Sequence, residues 1–262
     1  MGGRGSVLSR QKRDHVKLDR LLHRLAAAHP AEQDAVLLKI YRLVFPHAYA
    51  EETILWPVIR RHLADGHELT LEVEREHQEI NELATRLETL EQGSAGRDRL
   101  LQRLVELLRE DVRDEEDELL PALQMKLGQA QLRRLGLAWE AVRALSPTRP
   151  HAIVSRRPPG NVLAALPLTI LDHCRDGVDA FIHRRPGAAS SPLSGLGSLL
   201  AGASHAVERL PGMRRGEDPS TRRSGAARTP RAAAVLVTIV AASAALALAR
   251  RRRRLRSSRY AV

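Results

Sequence analysis

The 262-residue chain has a single cysteine, Cys174, which excludes disulfides, zinc knuckles and thiolate-held iron-sulfur clusters within it. Any metal must therefore sit on nitrogen and oxygen. Aromatic residues make up only 3% of the chain, so there is little material for sheets, whereas the abundant Leu, Ala, Glu and Arg favour helix. No nucleophile triad or phosphate-cradling glycine loop is present, and a hydrolase or transferase has no support. Nor does the folded part carry an excess of charge. Residues 214–259 hold thirteen Arg against Glu217 and Asp218, which equals the whole net charge of +11. The basicity belongs to a tail and is no nucleic-acid signature of the fold; with only Tyr260 to stack on a base, no specific nucleic-acid binding is expected.

Apolar content of 43% is enough for a real core. Helical periodicity predicts helices near 7–28, 31–64, 68–91 and 97–127, with turns at His29-Pro30, Asp65-Gly66 and Gly93-Ser94-Ala95-Gly96. A fifth helix is expected over 129–145. Short connections between long amphipathic helices make antiparallel neighbours, so the expected fold is all-α, an up-down-up-down four-helix bundle over 7–145. Residues 146–231 read as a mostly flexible Pro/Gly/Ala/Arg-rich linker, with room for a short helix at 161–183. Residues 232–249, AAAVLVTIVAASAALALA, have only Thr238 and Ser243 as polar positions, and an Arg-rich tail follows over 250–262.

Two stretches repeat one frame. HAYAEETILWP (47–57) and DVRDEEDELLP (111–121) each begin with an ionisable residue, place a Glu-Glu pair four positions on, and end in proline. On the second helix the buried stripe is Ile40, Val44, His47, Glu51, Ile54 and Val58; on the fourth it is Leu104, Leu108, Asp111, Glu115, Leu119 and Ala122. The third offers Val73, His77, Ile80, Ala84 and Leu87, and the first Leu8, His15, Leu18, Leu22 and Leu25. Every helix thus breaks its apolar seam at one level. Unpaired carboxylates there would cost several kcal/mol, and no Lys or Arg lies on these stripes to answer them. A cation is the better answer. Residues at i and i+4 project side by side, so His47 with Glu51 and Asp111 with Glu115 can each present two donors, and His15 and His77 complete the set. The spacings, 32 residues from His15 to His47 and 34 from His77 to Asp111, fit two hairpins related by a pseudo-twofold axis. Six donors can hold two metals bridged by Glu51 and Glu115, and imidazole with carboxylate suits iron, manganese or zinc rather than calcium.

At Asp14-His15, HAYAEE (47–52), EHQEI (76–80) and DVRDEE (111–116) the sequence resembles the hemerythrin family, specifically its HHE cation-binding domains. The resemblance covers about 7–145. It implies a non-haem di-iron centre that meets oxygen, peroxide or nitric oxide, with His15, His47, Glu51, His77 and Glu115 as ligands. Asp111 stands where the family usually has His. As a shorter and anionic donor, Asp111 should favour the ferric state, or reach a metal only through water. Peroxide turnover by the metal pair is the enzymatic form of this expectation. The alternative is a metal-free, membrane-tethered helical interaction module.

Other ionisable residues read as bystanders. His23, His29, His62 and His67 lie at helix ends or in loops; Glu52, Glu116, Asp114 and Asp117 are most simply solvated charges, with Glu52 or Glu116 available to a site's outer sphere. Glu74-x-x-His77 matches the Glu-x-x-His of ferritin-like sites but lacks a partner on the fourth helix. Eighteen helical residues span roughly 27 Å against the ~30 Å of a hydrocarbon core, so 232–249 is expected to be a single C-terminal transmembrane helix, with Arg250–Arg254 holding anionic headgroups. The N-terminus has no apolar signal segment, which places the bundle on the cytoplasmic side of that membrane.

Overall fold

The computed structural model describes residues 3–184 and 192–222. Among them all regular structure is helical: α1 (Val7–Ala26), α2 (Pro30–Ala50), α3 (Trp56–His62), α4 (Gly66–Leu87), α5 (Ala95–Asp114), α6 (Leu120–Lys126), α7 (Gln129–Arg143), α8 (Gly160–Arg184) and α9 (Pro192–Glu208), with short 3-10 turns after α9. The starts follow local chemistry. Ser6 Oγ accepts the Ser9 N–H at 3.2 Å, Ser94 Oγ accepts the Arg97 N–H at 3.3 Å, and Pro30 opens α2, where its missing N–H has no intrahelical partner to lose.

Two π-helical turns, Glu51–Leu55 and Glu115–Leu119, join α2 to α3 and α5 to α6 into continuous rods. Proline causes both. Pro57 and Pro121 offer no N–H to the carbonyl four residues back, and the ladder widens: the Trp56 N–H reaches the Glu51 carbonyl, and the Leu120 N–H the Glu115 carbonyl. The sequence reading runs one regular helix through each of these sites, and the structure departs from it here.

α1, α2–α3, α4 and α5–α6 enclose two apolar clusters. One gathers the end of α1 (Leu22, Leu25), the start of α2 (Val36, Leu37), the end of α4 (Leu83, Leu87) and the start of α5 (Leu101, Leu104), so consecutive rods run in alternating directions. The other gathers Leu8, Leu55, Trp56, Ile59, Val73, Leu119 and Leu123 with Trp139 of α7. Helix α7 lies against α1 and α2. Gly136 permits that approach, since a Cβ there would stand 2.7 Å from the Gly5 carbonyl oxygen.

The described part of the expected linker, residues 146–184 and 192–222, is not a flexible connection but holds two packed helices. Helices α8 and α9 pack on each other through Ala164, Leu168, Leu171, Leu200, Ala203 and Val207. The composition that suggested a linker, rich in Ala and Gly, also lets two helices meet closely. Polar ties bind this layer to the bundle: Arg157 to Glu74 at 2.6 Å, Arg42 to Asp176 at 2.9 Å, and the His151 N–H to Asn81 Oδ1 at 2.8 Å.

The expectation of a transmembrane helix, and with it of a membrane-anchored chain, is corrected for the described residues. No helix among the described residues is long and apolar enough to cross a membrane. Segment 232–249, on which that expectation rested, and the Arg-rich tail lie outside the described residues.

Candidate metal centre

The two π turns position the chemistry. A wider turn lessens the angular step between neighbours, so Glu51 and Glu52 both face inward, at 0% and 1% exposure. Glu115 is buried in the equivalent turn. These acids, with His15, His47, His77 and Asp111, form a polar layer between the two apolar clusters.

Five of the six expected donors fall into two groups able to hold a metal, and Asp111 stands beside the second, outside both. His15, His47 and Glu115 form one group whose ligand-type atoms lie within 4.8 Å of one another; Glu51, His77 and Glu115 form a second. Glu115 is common to both, with its Oε2 3.2 Å from His15 Nε2. Glu51 spans the two halves as well: Oε1 is 2.9 Å from His47 Nε2 and Oε2 is 3.8 Å from His77 Nε2. Asp111 lies beside the second half, its Oδ1 3.3 Å from His77 Nε2. The Nε2 atoms of His15 and His47 stand 3.3 Å apart.

The fit of this set to a cation can be judged from its polar atoms. Both oxygens of Glu51, both oxygens of Glu115, Asp111 Oδ1 and His77 Nε2 are buried without a well-directed hydrogen bond, although three of the oxygens lie 2.9, 3.2 and 3.3 Å from an imidazole nitrogen. Buried orphans of this kind are costly, and here they point to a shared centre, with donors of the type that bind borderline transition metals. Protons answer the charge in part. Burial opposes a charged ring at His47, yet the Glu51 and Asp14 carboxylates lift it to about 10; His77, likewise opposed by burial, is raised well above the usual range by Asp111 and Glu52. Burial and the Glu51 charge push Glu115 up to about 7.

The outer partners of the three imidazoles were only partly legible. Glu116 Oε1 accepts from His15 Nδ1 at 2.8 Å, Glu52 Oε1 faces His77 Nδ1 at 3.0 Å, and Asp14 Oδ2 lies 3.6 Å from His47 Nδ1. Glu52 is therefore not a solvated charge, and Glu116, although partly exposed, is engaged with His15. Each holds the histidine of the opposite hairpin, directing Nε2 into the layer. Asp14 was missed, although one signal existed: an acid precedes His15 as Glu76 precedes His77. Glu76 has no imidazole to serve, because Asp111 stands where its partner would be. Burial, with the charges of Asp111 and Asp114, pushes Glu76 up to about 8.

The two tryptophans also lie against the layer. Trp56 stacks on His77 with ring centroids 6.1 Å apart, and Trp139 meets His47 edge-on at 5.2 Å. His23 and His62 bond their own backbone at exposed positions. The Glu-x-x-His alternative fails, since Glu74 is tied to Arg60 and Arg157, each at 2.6 Å.

Residues 6–123 match the family model described as the hemerythrin HHE cation binding domain. This segment belongs to the hemerythrin HHE family. A hemerythrin-like protein of Schizosaccharomyces pombe is 24% identical over 131 residues, covering 50% of this chain and 64% of that protein. The match thus spans less than two thirds of the relative's length. No solved structure matches. By family the HHE domain binds metal ions, typically iron, and the His and Glu groups just described are able to hold one. All six expected donors, and the three acids behind the imidazoles, fall within the HHE domain; α7, α8 and α9 lie beyond it.

Proposed function

We propose that His15, His47, Glu51, His77, Asp111 and Glu115 would hold two non-haem iron ions, with Glu51 and Glu115 placed to serve both halves, and that the protein binds, senses or detoxifies oxygen, peroxide or nitric oxide. Manganese or zinc would suit the same donor types less well. The observation that carries this reading is the cluster of buried carboxylate and imidazole atoms of Glu51, Glu115, Asp111 and His77 that lack a well-directed hydrogen bond. When bound, an iron pair supplies electrons to a small oxidant or takes up a diatomic ligand. The chain's own residues supply the remainder. Glu51 and Glu115 stand between the two halves, His15 and His77 are oriented by hydrogen bonds at Nδ1, and the Asp14 carboxylate lies 3.6 Å from His47 Nδ1.

Ligand size is limited by the approach. A cavity of about 20 Å³ is lined by His15, His47 and Asp111 together with Leu18, Leu43, Val44 and Ala48. That is room for a molecule of about water's size, between apolar side chains and the ionisable groups of Asp14, His15, His47 and Asp111. Titration of the iron-loaded full chain with nitric oxide, and separately with peroxide, should change its visible absorption, and Glu51→Ala should abolish the response. An iron-loaded chain indifferent to nitric oxide, peroxide and oxygen would defeat the ligand half of the reading.

A further inference from the structure

Behind each carboxylate that holds a histidine stands a cation. Lys12 Nζ pairs with Glu116, whose other oxygen meets His15. Arg143 Nη1 lies 3.1 Å from Asp14 Oδ2, the atom facing His47. Arg156 Nη1 lies 3.8 Å from Glu52 Oε1, the atom on His77. The three chains share one order, cation to carboxylate to Nδ1, although their cations come from α1, from α7 and from the segment before α8.

We propose that Lys12, Arg143 and Arg156 are positioning residues of the metal centre, and that the chain beyond the HHE domain is therefore part of that centre. The inference rests on the iron reading above. Arg143 and Arg156 follow residue 123, where the family match ends. Both are well placed for the role. Arg156 is buried, and its Nη2 is fixed on the carbonyls of His151 at 2.8 Å and Val154 at 2.9 Å. Arg143 lies over the Trp139 ring at 5.1 Å, and Trp139 meets the His47 ring. Helix α7 thus holds His47 twice, through Trp139 on the ring and through Arg143 and Asp14 on Nδ1.

The cations have two effects. They hold Asp14, Glu52 and Glu116 in place, so that His15 and His77 each meet a carboxylate through Nδ1, His47 Nδ1 faces one at 3.6 Å, and each Nε2 is presented inward. They also offset negative charge in a buried layer already rich in carboxylates, where Coulomb terms are weakly screened. Removing one leaves the centre more negative, which stabilises the oxidised metal and lowers its reduction potential.

The test uses the iron-loaded full chain with Arg143→Gln, Arg156→Gln and the double variant. Arg143→Lys and Arg156→Lys serve as charge-preserving rescues, and Arg103→Gln, in a surface pair with Glu79 and Glu110, as a control of equal charge. Each Gln variant should lower the reduction potential and release iron to a chelator ~10-fold faster. The double variant should show a larger shift, the Lys variants a potential near wild type, and Arg103→Gln no change. Should an Arg variant fail to fold, Lys12→Gln carries the same test at His15, because Lys12 and Glu116 lie nearer the surface. Iron-loaded variants with wild-type potential and release rate would overturn the inference and leave the iron reading intact. A wild-type chain that takes up no iron would instead overturn that reading, and this inference with it.

Discussion

Asp111 sets one half of the centre apart from the other. Its counterpart His47 is neutral as a donor and backed by Asp14, whereas Asp111 is anionic and faces Glu76, which burial and the nearby acids push up to about 8. An added negative donor favours the oxidised metal. Asp111→His should therefore raise the reduction potential of the iron-loaded chain, as read by a spectroelectrochemical titration. An unchanged or lowered potential would count against Asp111 as a donor. The second aromatic pair offers a separate reading at this scale. Trp56 and Trp139 are the only tryptophans, and each lies against a different histidine of the centre, His77 and His47. Iron should quench the fluorescence of both, so Trp139→Phe should retain a quenched signal from Trp56 alone.

At the level of elements, the repeated frame takes its meaning from its prolines. Pro57 and Pro121 open π turns that aim consecutive glutamates at the centre, the first buried among the opposite donors and the next set against a histidine of the other hairpin. Pro57→Ala would restore an N–H to the Thr53 carbonyl and favour a regular helix, turning Glu51 and Glu52 away from their present directions. We expect metal content to fall while helicity by circular dichroism is kept, and full metal content in that variant would show that the turn is not needed. The turn was not legible in the sequence because a heptad count assumes one period throughout. The donors were legible, since each breaks an apolar stripe at one level. Asp14 against His47, and Arg143 against Asp14, are contacts at long sequence separation with no local period to betray them.

Across the whole molecule, the bundle and the C-terminal layer are joined by buried polar groups that sequence composition does not reveal. Runs of Ala, Gly, Ser and Pro read as a linker, but the ties are single Arg, His and Asn residues far apart in sequence. His151 is central to them. Its Nδ1 meets Glu208 of α9 at 2.9 Å and its Nε2 meets Asp172 of α8 at 3.0 Å, while Asn81 of α4 accepts its N–H, Arg156 holds its carbonyl, and His205 lies 3.3 Å from Glu208. Burial opposes the charged ring, but Asp172 and Glu208 lift His151 to about 10; burial likewise opposes ionised Glu208, yet His151 and His205 hold it down to about 2. A raised histidine stabilises the fold fully below its ordinary value of 6.5, and that contribution is lost as pH rises through about 10. A depressed Glu208 stabilises it above 4.5 and loses that contribution as pH falls toward about 2. His151→Gln should thus cost about 3 kcal/mol near pH 6, with the deficit shrinking toward pH 10. Denaturant unfolding of both proteins across that range checks it, and a deficit independent of pH would contradict the buried ion pair.

A cation bound only by the folded chain also stabilises it, by ~2.7 kcal/mol at a hundredfold excess over its dissociation constant. Thorough chelation should therefore lower the unfolding midpoint of the whole molecule. The most direct measurement is metal per chain, by elemental analysis of the full protein purified from iron-supplemented growth. The account predicts two irons per chain, falling to one or fewer in Glu51→Ala with the helical fold retained. A folded wild-type chain that carries no iron, manganese or zinc would contradict it.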